Sequence, residues 1–551
     1  MNDASIFSLP PGSDFAAEFA RGYHERYKHL SFRQRAQARV LVNTSRMSQD
    51  ITAALADEAP QPGAIPAVQM IQSLDDQVEL GVELAEPVSA MRRTLALARL
   101  VEGFLSARKG HEAPAHPTSM AIDLAEELAF LIDQFHDSGV DFHRLREIEV
   151  AQGAARHWQD SLEFFEIVMT HWPLILAEAE GGRLDPRDRH SRIVDAQISS
   201  WQRCPPDVPV IAAGSTGSVG TTARLLAAVA KLPMGAVVLP GFDPTVDPEI
   251  WKAAEADHPL GPFQGLFSRL TLSPSDVRPW RQADPPRRLS LLTQAMRPAP
   301  VTDHWHRLAD TMRNEAGPAL SGLSLIEADT PRLEANAIAV AVREALEDPS
   351  AHVALITSDG ALARRVTAAL ARYGIVPDDT MGTPLSQSVP GTLLALGLSA
   401  AAPNASALDI AALMHHPLVQ PGVERSDHLS FARTYERRVL RGLTKDSGSL
   451  PSDPEANDAE VDWLRRINAA LEPARKCLAT MAGLDEQAAA SSSMISALTD
   501  PGSGSPAFLQ IEGGPDLDDF LREIVQDGAV FGSPKASADT PFEFAQVNMA
   551  K

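Results

Sequence analysis

Three places in this chain carry residue types at spacings that could do chemistry. The first is Leu9-Pro10-Pro11-Gly12-Ser13-Asp14, set between a short apolar run, Ile6-Phe7-Ser8, and an amphipathic stretch that begins at Phe15. A nucleotide-binding domain puts its phosphate loop in that position. A working loop grips phosphates with backbone N–H groups, a lysine on the terminal phosphates and a hydroxyl on magnesium. No Gly-Lys dipeptide occurs anywhere in the 551 residues, so hydrolysis at Gly12, Ser13 and Asp14 is not expected. Asp14 would set a negative charge where phosphates lie, and it equally suits a helix N-cap. The second place is Gly214-Ser-Thr-Gly217-Ser-Val-Gly220, which follows an apolar run and opens a helical pattern. Its spacing is that of a dinucleotide fingerprint, and Asp243 lies roughly 20 residues on, where a ribose-binding acid is expected. An NAD(P)-dependent oxidoreductase is therefore the alternative functional class; the bland reading is that small residues permit a tight strand-to-helix turn. The third is a set of paired side chains: Asp75 with Asp76, Asp378 with Asp379, Asp518 with Asp519, and His415 with His416 before Pro417. Solvated faces, caps and helix-end packing explain these more simply than metal or acid–base sites, so no metal site and no catalytic residue is assigned.

The elements that must position these residues follow an interrupted pattern. Apolar runs at 6–8, "ARVLVNT" and "AIPAVQMI" alternate with helical stretches, which argues a parallel sheet. From about Pro87 to Trp201 apolar residues recur at three and four over long spans, as a helical insertion would show. Alternation resumes at "VPVIAAGSTGSVGTTARLLAAVAKLPMGAVVLPGFD", so the sheet begun at the N-terminus is expected to be completed there. After a Pro/Arg-rich connector, "LSLIEADTPRLEANAIAVAVREALEDPSAHVALITSDGALARRVTAALARYGIVPDD" reads strand, helix, strand, helix, strand. The rest, from about Gly391, is helical with Ser/Asp/Pro-rich breaks. The domain expectation is thus 1–86 with 202–285 as a split first α/β domain, 87–201 as its insertion, 286–390 as a partial second α/β domain, and 391–551 as a second helical insertion.

Composition bounds the function. A chain of 551 residues is too long for one core and suggests roughly three to four domains. A formal charge of -23 opposes indiscriminate adhesion to nucleic acid without excluding a local basic channel. Two distant cysteines, Cys204 and Cys477, give no basis for a disulfide framework, a zinc ribbon or an iron–sulfur cluster, and fit a reducing cytoplasm. Neither an export signal nor a membrane span is visible.

In order along the chain, "FSLPPGSDF", "VLVNTSRM", "VIAAGSTGSVGTT", "GAVVLPGFDP", "DVRPW", "RPAPVTDHW", "ARYGIVPDD" and "LMHHPL" resemble the N-terminal part of the AddB family in its alphaproteobacterial form. As a collinear set from about residue 6 to at least residue 530 they are specific. AddB is a subunit of the AddAB helicase–nuclease, which processes double-strand breaks as RecBCD does. The resemblance implies a UvrD-like helicase fold, two RecA-like parallel-sheet domains each interrupted by a helical insertion, with a degenerate nucleotide site. In an active helicase of this architecture the strand after the first insertion ends in Asp-Glu, for magnesium and water; here it ends at Ala213, Gly214 and Ser215. The implied role is a silent motor fold that scans DNA, in the family's case for the regulatory Chi sequence, beside an AddA-like helicase–nuclease subunit. Asn43, Thr44 and Arg46 match the place where related helicases touch single strands, although the first two also suit a helix cap. Basic runs at "RGYHERYKHLSFRQRAQAR" and "RTYERRVLRGLTK" could line a strand channel or form charged helix faces. Complete relatives continue into a RecB-like nuclease domain, some with an iron–sulfur cluster; no residue of this chain matches those regions, so no nuclease metal, cluster or other cofactor is carried over.

Overall fold

A computed structural model describes residues 5–59, 65–74, 84–107, 117–140, 144, 155–178, 180–218, 220–282, 288–380, 382–442, 450–480 and 482–531. The chain forms two compact units, residues 1–285 with 384–551, and residues 286–383.

In the first unit, β1 (Ile6–Ser8) leads through helices α1 (Phe15–Tyr27) and α2 (Phe32–Ala36) to β2 (Arg39–Val42), and α3 (Ser45–Asp57) leads on to β3 (Ala67–Met70). Among the described residues four helices follow, α4 (Ala90–Ala107), α5 (Pro117–Ser138), α6 (Ala155–Glu178) and α7 (Pro186–Arg203). The chain then returns through β4 (Val210–Ala213), α8 (Gly220–Val229), β5 (Gly235–Leu239), α9 (Pro248–Ala253), α10 (Gly261–Leu270) and the two-residue β6 (Arg278–Pro279). The six strands are all parallel, in the order β3-β2-β4-β5-β1-β6. Strands β4 and β5, which come after the helical stretch, therefore sit between β1 and β2, which come before it.

Alternation along each strand sends neighbours to opposite faces. Phe7, Val40, Val42, Ile211, Ala213, Ala236 and Val238 bury one face against α1 and α3, with Phe19, Tyr23, Ile51 and Leu55. Ile6, Leu41, Ala212, Val237 and Leu239 bury the other against α7, α8 and α10. Coverage on both faces explains why these strands read as near-continuous apolar runs. Strand β6, too short to be read from the sequence, is fixed by its neighbours: Trp280 N donates to the Ser8 carbonyl, and the Trp280 ring stacks on Phe19 at 5.6 Å. Its Nε1 donates to the Phe19 carbonyl. Gly22 makes room, because a Cβ there would lie 2.4 Å from Trp280 Nε1.

The second unit contains α11 (Leu289–Ala295), α12 (Trp305–Leu320), α13 (Pro331–Ala345) and α14 (Gly360–Ala371). Thr330 and Asp359 cap α13 and α14, which pack together through Ala335, Ala339, Val366, Ala369 and Leu370. The strands expected around Leu325, Leu355 and Val376 are not formed: among the described residues no strand lies in 288–383. Helices close their hydrogen bonds locally, whereas every ladder bond of a parallel strand needs a distant partner, and these segments have none.

The first unit is completed by α15 (Val389–Ala401), α16 (Ala407–His415), α17 (Arg425–Arg438), α18 (Asp458–Thr480), α19 (Leu484–Thr499) and α20 (Gly514–Phe531). Residues from Val88 to Leu176 and from Leu393 to Ile524 contribute to one continuous core, so the two helical stretches that the sequence assigned to separate insertions share an interior. A buried ion cluster reinforces α4. Arg93 pairs with Asp185 at 2.9 Å and with Asp133 at 2.8 Å, and Arg92 pairs with Glu180 at 2.9 Å. Ser89 Oγ donates to Asp527 of α20 at 2.7 Å. No helix among the described residues is long and apolar enough to cross a membrane.

Candidate functional site

The carboxyl edge of the six-stranded sheet collects the residues of the two Gly-containing turns and the three candidates for DNA contact. Gly12, Ser13 and Asp14 follow β1, Asn43, Thr44 and Arg46 follow β2, Ala213, Gly214 and Ser215 end β4, and Asp243 follows β5. Helices that follow β1 and β2 pack on one face and those that follow β4 and β5 on the other. Adjacent strands β1 and β5, and β2 and β4, therefore flank two topological switch points, where open α/β sheets bind ligands.

At the first switch point the turn after β1 is closed on itself. Pro10 and Pro11 have no N–H to offer. Ser13 spends both its N–H, at 3.3 Å, and its Oγ, at 2.7 Å, on the Pro10 carbonyl. Gly12, at φ 81°, takes the left-handed conformation that this tight turn requires. Asp14 accepts from Ala17 N at 3.1 Å as the N-cap of α1. A phosphate cradle needs successive outward-facing N–H groups, and this turn lacks two and consumes a third. Asp243, after β5, accepts from Thr245 N at 2.8 Å and from its hydroxyl at 2.6 Å. That local turn uses one carboxylate oxygen twice.

At the second switch point the glycines are packing devices. Gly214, at φ 75°, lies under Met47 of α3, whose Cε would be 3.1 Å from an added Cβ. Ser215 is buried and accepts from Gly217 N at 3.3 Å. A Cβ on Gly220 would lie 2.4 Å from the Asp137 carbonyl oxygen, and Thr221 Oγ1 donates to the same oxygen at 3.3 Å. The N-terminus of α8, where a dinucleotide pyrophosphate would sit, is thus met by the last turn of α5. Nothing in the local sequence signals Asp137, which is 84 residues from Thr221.

Asn43, Thr44 and Arg46 are exposed in the crevice beside β2. Thr44 caps α3, accepting from Met47 N at 3.1 Å. Exposed side chains at this edge can bond phosphate oxygens.

Several residues of the basic runs are matched by acids or by rings. Arg21 pairs with Glu18 and Glu58, each at 2.7 Å. Arg26 lies over the Phe7 and Trp280 rings, at 4.2 and 4.6 Å, and burial lowers its pKa. In the second run Arg438 reaches Asp453 and Glu460, both at 3.5 Å, and Tyr435 is buried with its hydroxyl donating to the Pro451 carbonyl.

The paired side chains separate. His415 reaches Glu436 at 2.9 Å on the surface, while His416 is buried, with Nδ1 accepting from Leu418 N and Nε2 beside Thr392 Oγ1. Burial pushes the His416 pKa down to about 4. His428, which the sequence did not single out, is fully buried: Trp463 Nε1 donates to its Nδ1 at 3.0 Å, and its Nε2 donates to the Met414 carbonyl at 2.7 Å. Burial holds it also at about 4. Both Asp518 and Asp519 pair with Arg522. Asp378 and Asp379 are exposed, and Asp75 and Asp76 lie outside the described residues.

Compared with protein-family models the chain matches none, and it matches no curated protein.

Proposed function

We propose that this chain is a non-motor, DNA-binding scaffold subunit of a two-protein helicase–nuclease that processes double-strand breaks for recombinational repair. On this reading its fold is UvrD-like, with two RecA-like domains, its partner is an AddA-like subunit, and it holds no cofactor of its own. The collinear strings that resemble AddB support the reading, and so does a parallel sheet whose strands are split by a helical stretch. The observation that carries it is the turn after β1: two prolines and a self-bonded serine stand where a motor presents phosphate-binding N–H groups. The missing Gly-Lys and Asp-Glu then make the loss twofold. Asn43, Thr44 and Arg46 are the residues assigned to single-stranded DNA, and scanning for a Chi-type sequence is the family role that fits a silent cleft. The oxidoreductase alternative rests on glycine spacing and Asp243 alone; against it, Gly214, Gly217 and Gly220 pack against Met47, Leu266 and Asp137. The test is co-purification: with an AddA-like partner the chain co-elutes and binds duplex ends, and a chain that stays solitary and indifferent to DNA overturns the proposal.

A further inference from the structure

The heart of the first basic run lies away from the crevice. α2 (Phe32–Ala36) precedes β2, so in an all-parallel sheet it stands at the amino edge, opposite Asn43, Thr44 and Arg46. There Arg39 N donates to the Pro209 carbonyl at 2.9 Å, joining the starts of β2 and β4. The length of β2 keeps the two edges about 10 Å apart. Between Glu25 and Asp50 the chain holds Arg26, Lys28, Arg33, Arg35, Arg39 and Arg46 and no acid, although its formal charge is -23. The acids just before this run are occupied: Glu18 by Arg21 and Arg281, each at 2.7 Å, and Glu25 by Arg281 at 3.1 Å. Lys28 and Arg33 are exposed, and among the described residues neither ion-pairs with a carboxylate.

Between these two cations Phe32 is 59% exposed. The turn that presents it is fixed. Ser31 and Gln34 form a capping box, with Ser31 Oγ donating to Gln34 Oε1 at 2.9 Å, and the hydroxyl of the buried Tyr23 donates to the Arg35 carbonyl at 3.1 Å. A held aromatic ring flanked by unpaired cations suits a polymer that brings flat base faces and a phosphate for each charge. An apolar protein groove would cover the ring but desolvate Lys28 and Arg33 without a partner. A duplex would bring phosphates with its bases already stacked. We propose that Phe32, Lys28 and Arg33 form a second contact for single-stranded DNA, a base stacking on Phe32 and adjacent phosphates pairing with the two cations. The contact rests on the DNA-binding reading above, but not on the residues assigned there.

The test titrates a fluorescent oligothymidylate against the full chain over a series of salt concentrations. Phe32→Ala should weaken binding about 5-fold or more, and Phe32→Trp should retain it. Lys28→Gln with Arg33→Gln should weaken binding and lower the slope of log affinity against log salt by about 1.4, the value of two phosphate contacts on a single strand. Since all three side chains are exposed, urea midpoints should stay at that of the natural chain. Asn43→Ala with Arg46→Ala reports on the carboxyl edge separately. A loss confined to that variant overturns the second contact and leaves DNA binding standing, whereas a natural chain indifferent to the oligonucleotide overturns both. Unchanged affinity in Phe32→Ala also overturns it, as does polyglutamate competing as well as the oligonucleotide, because either marks a patch that takes any polyanion.

Discussion

Two regions of this molecule that read in the sequence as alternating strand and helix carry similar signals and reach different structures. "VPVIAAG" at 208–214 and "HVALITS" at 352–358 are both apolar runs and equally rich in β-branched residues, yet among the described residues the first becomes a central strand and the second forms none. What separates them is what surrounds them. Val210–Ala213 has β2 and β5 on its flanks and helices on both faces. Among the described residues His352–Ile356 has no neighbour strand. Strand propensity is a property of a pleated surface that packs, and only secondarily of the segment.

Four expected outcomes sharpen that contrast. The largest is a difference between regions. Phe242, fully buried against Phe263 and Phe267 with ring centroids 5.1 Å away in each case, should cost about 3–5 kcal/mol as Phe242→Ala. Ile356→Ser in the second unit should stay within about 0.5 kcal/mol. Paired denaturant titrations check both, and equal costs would erase the distinction.

Acid should next act on the helical body of the first unit. His416 and His428 are held neutral with pKa values of about 4, below the ordinary 6.5. The stability this gives is fully present above pH 6.5, the unfolded value, and is lost as pH falls from there towards 4, by up to about 3 kcal/mol for each histidine. Urea midpoints measured across that window should fall, and His428→Gln should flatten the slope.

Gly22→Ala should cost about 1–3 kcal/mol, because the new methyl meets the Trp280 indole. The same change at Gly317, where nothing lies within 4 Å of an added Cβ, is the control and should be neutral or slightly stabilising. Thr44→Ala, which removes the α3 cap at the carboxyl edge, should cost about 1 kcal/mol. If Thr44 also touches DNA, oligonucleotide affinity falls by more than the lost helix stability explains; unchanged affinity limits it to capping.

Much of the first unit was legible in the sequence. β1 through β5, the helical interruption and the turns at Gly12 and Gly214 follow from apolar runs, periodicity and glycine placement. The capping roles of Asp14 and Thr44 were equally readable, since a cap is satisfied within three residues. β6 was not, because two residues bearing a proline carry no strand signal, and their place depends on Trp280 binding Ser8 and Phe19. The closure of the α8 N-terminus by Asp137, the burial of His428 under Trp463 and the single core shared by both helical stretches were illegible for the same reason. Each is a contact between segments far apart in the chain, with no local constraint to betray it.

The central claim, that the cleft has kept its place in the sheet and lost its motor chemistry, is tested most directly by phosphate release. The purified chain is incubated with Mg–ATP, with and without a single-stranded oligonucleotide whose binding is followed in the same samples. The account predicts oligonucleotide binding with no phosphate release above the protein-free blank. DNA-stimulated turnover that disappears when the Gly12–Asp14 turn is altered would contradict it.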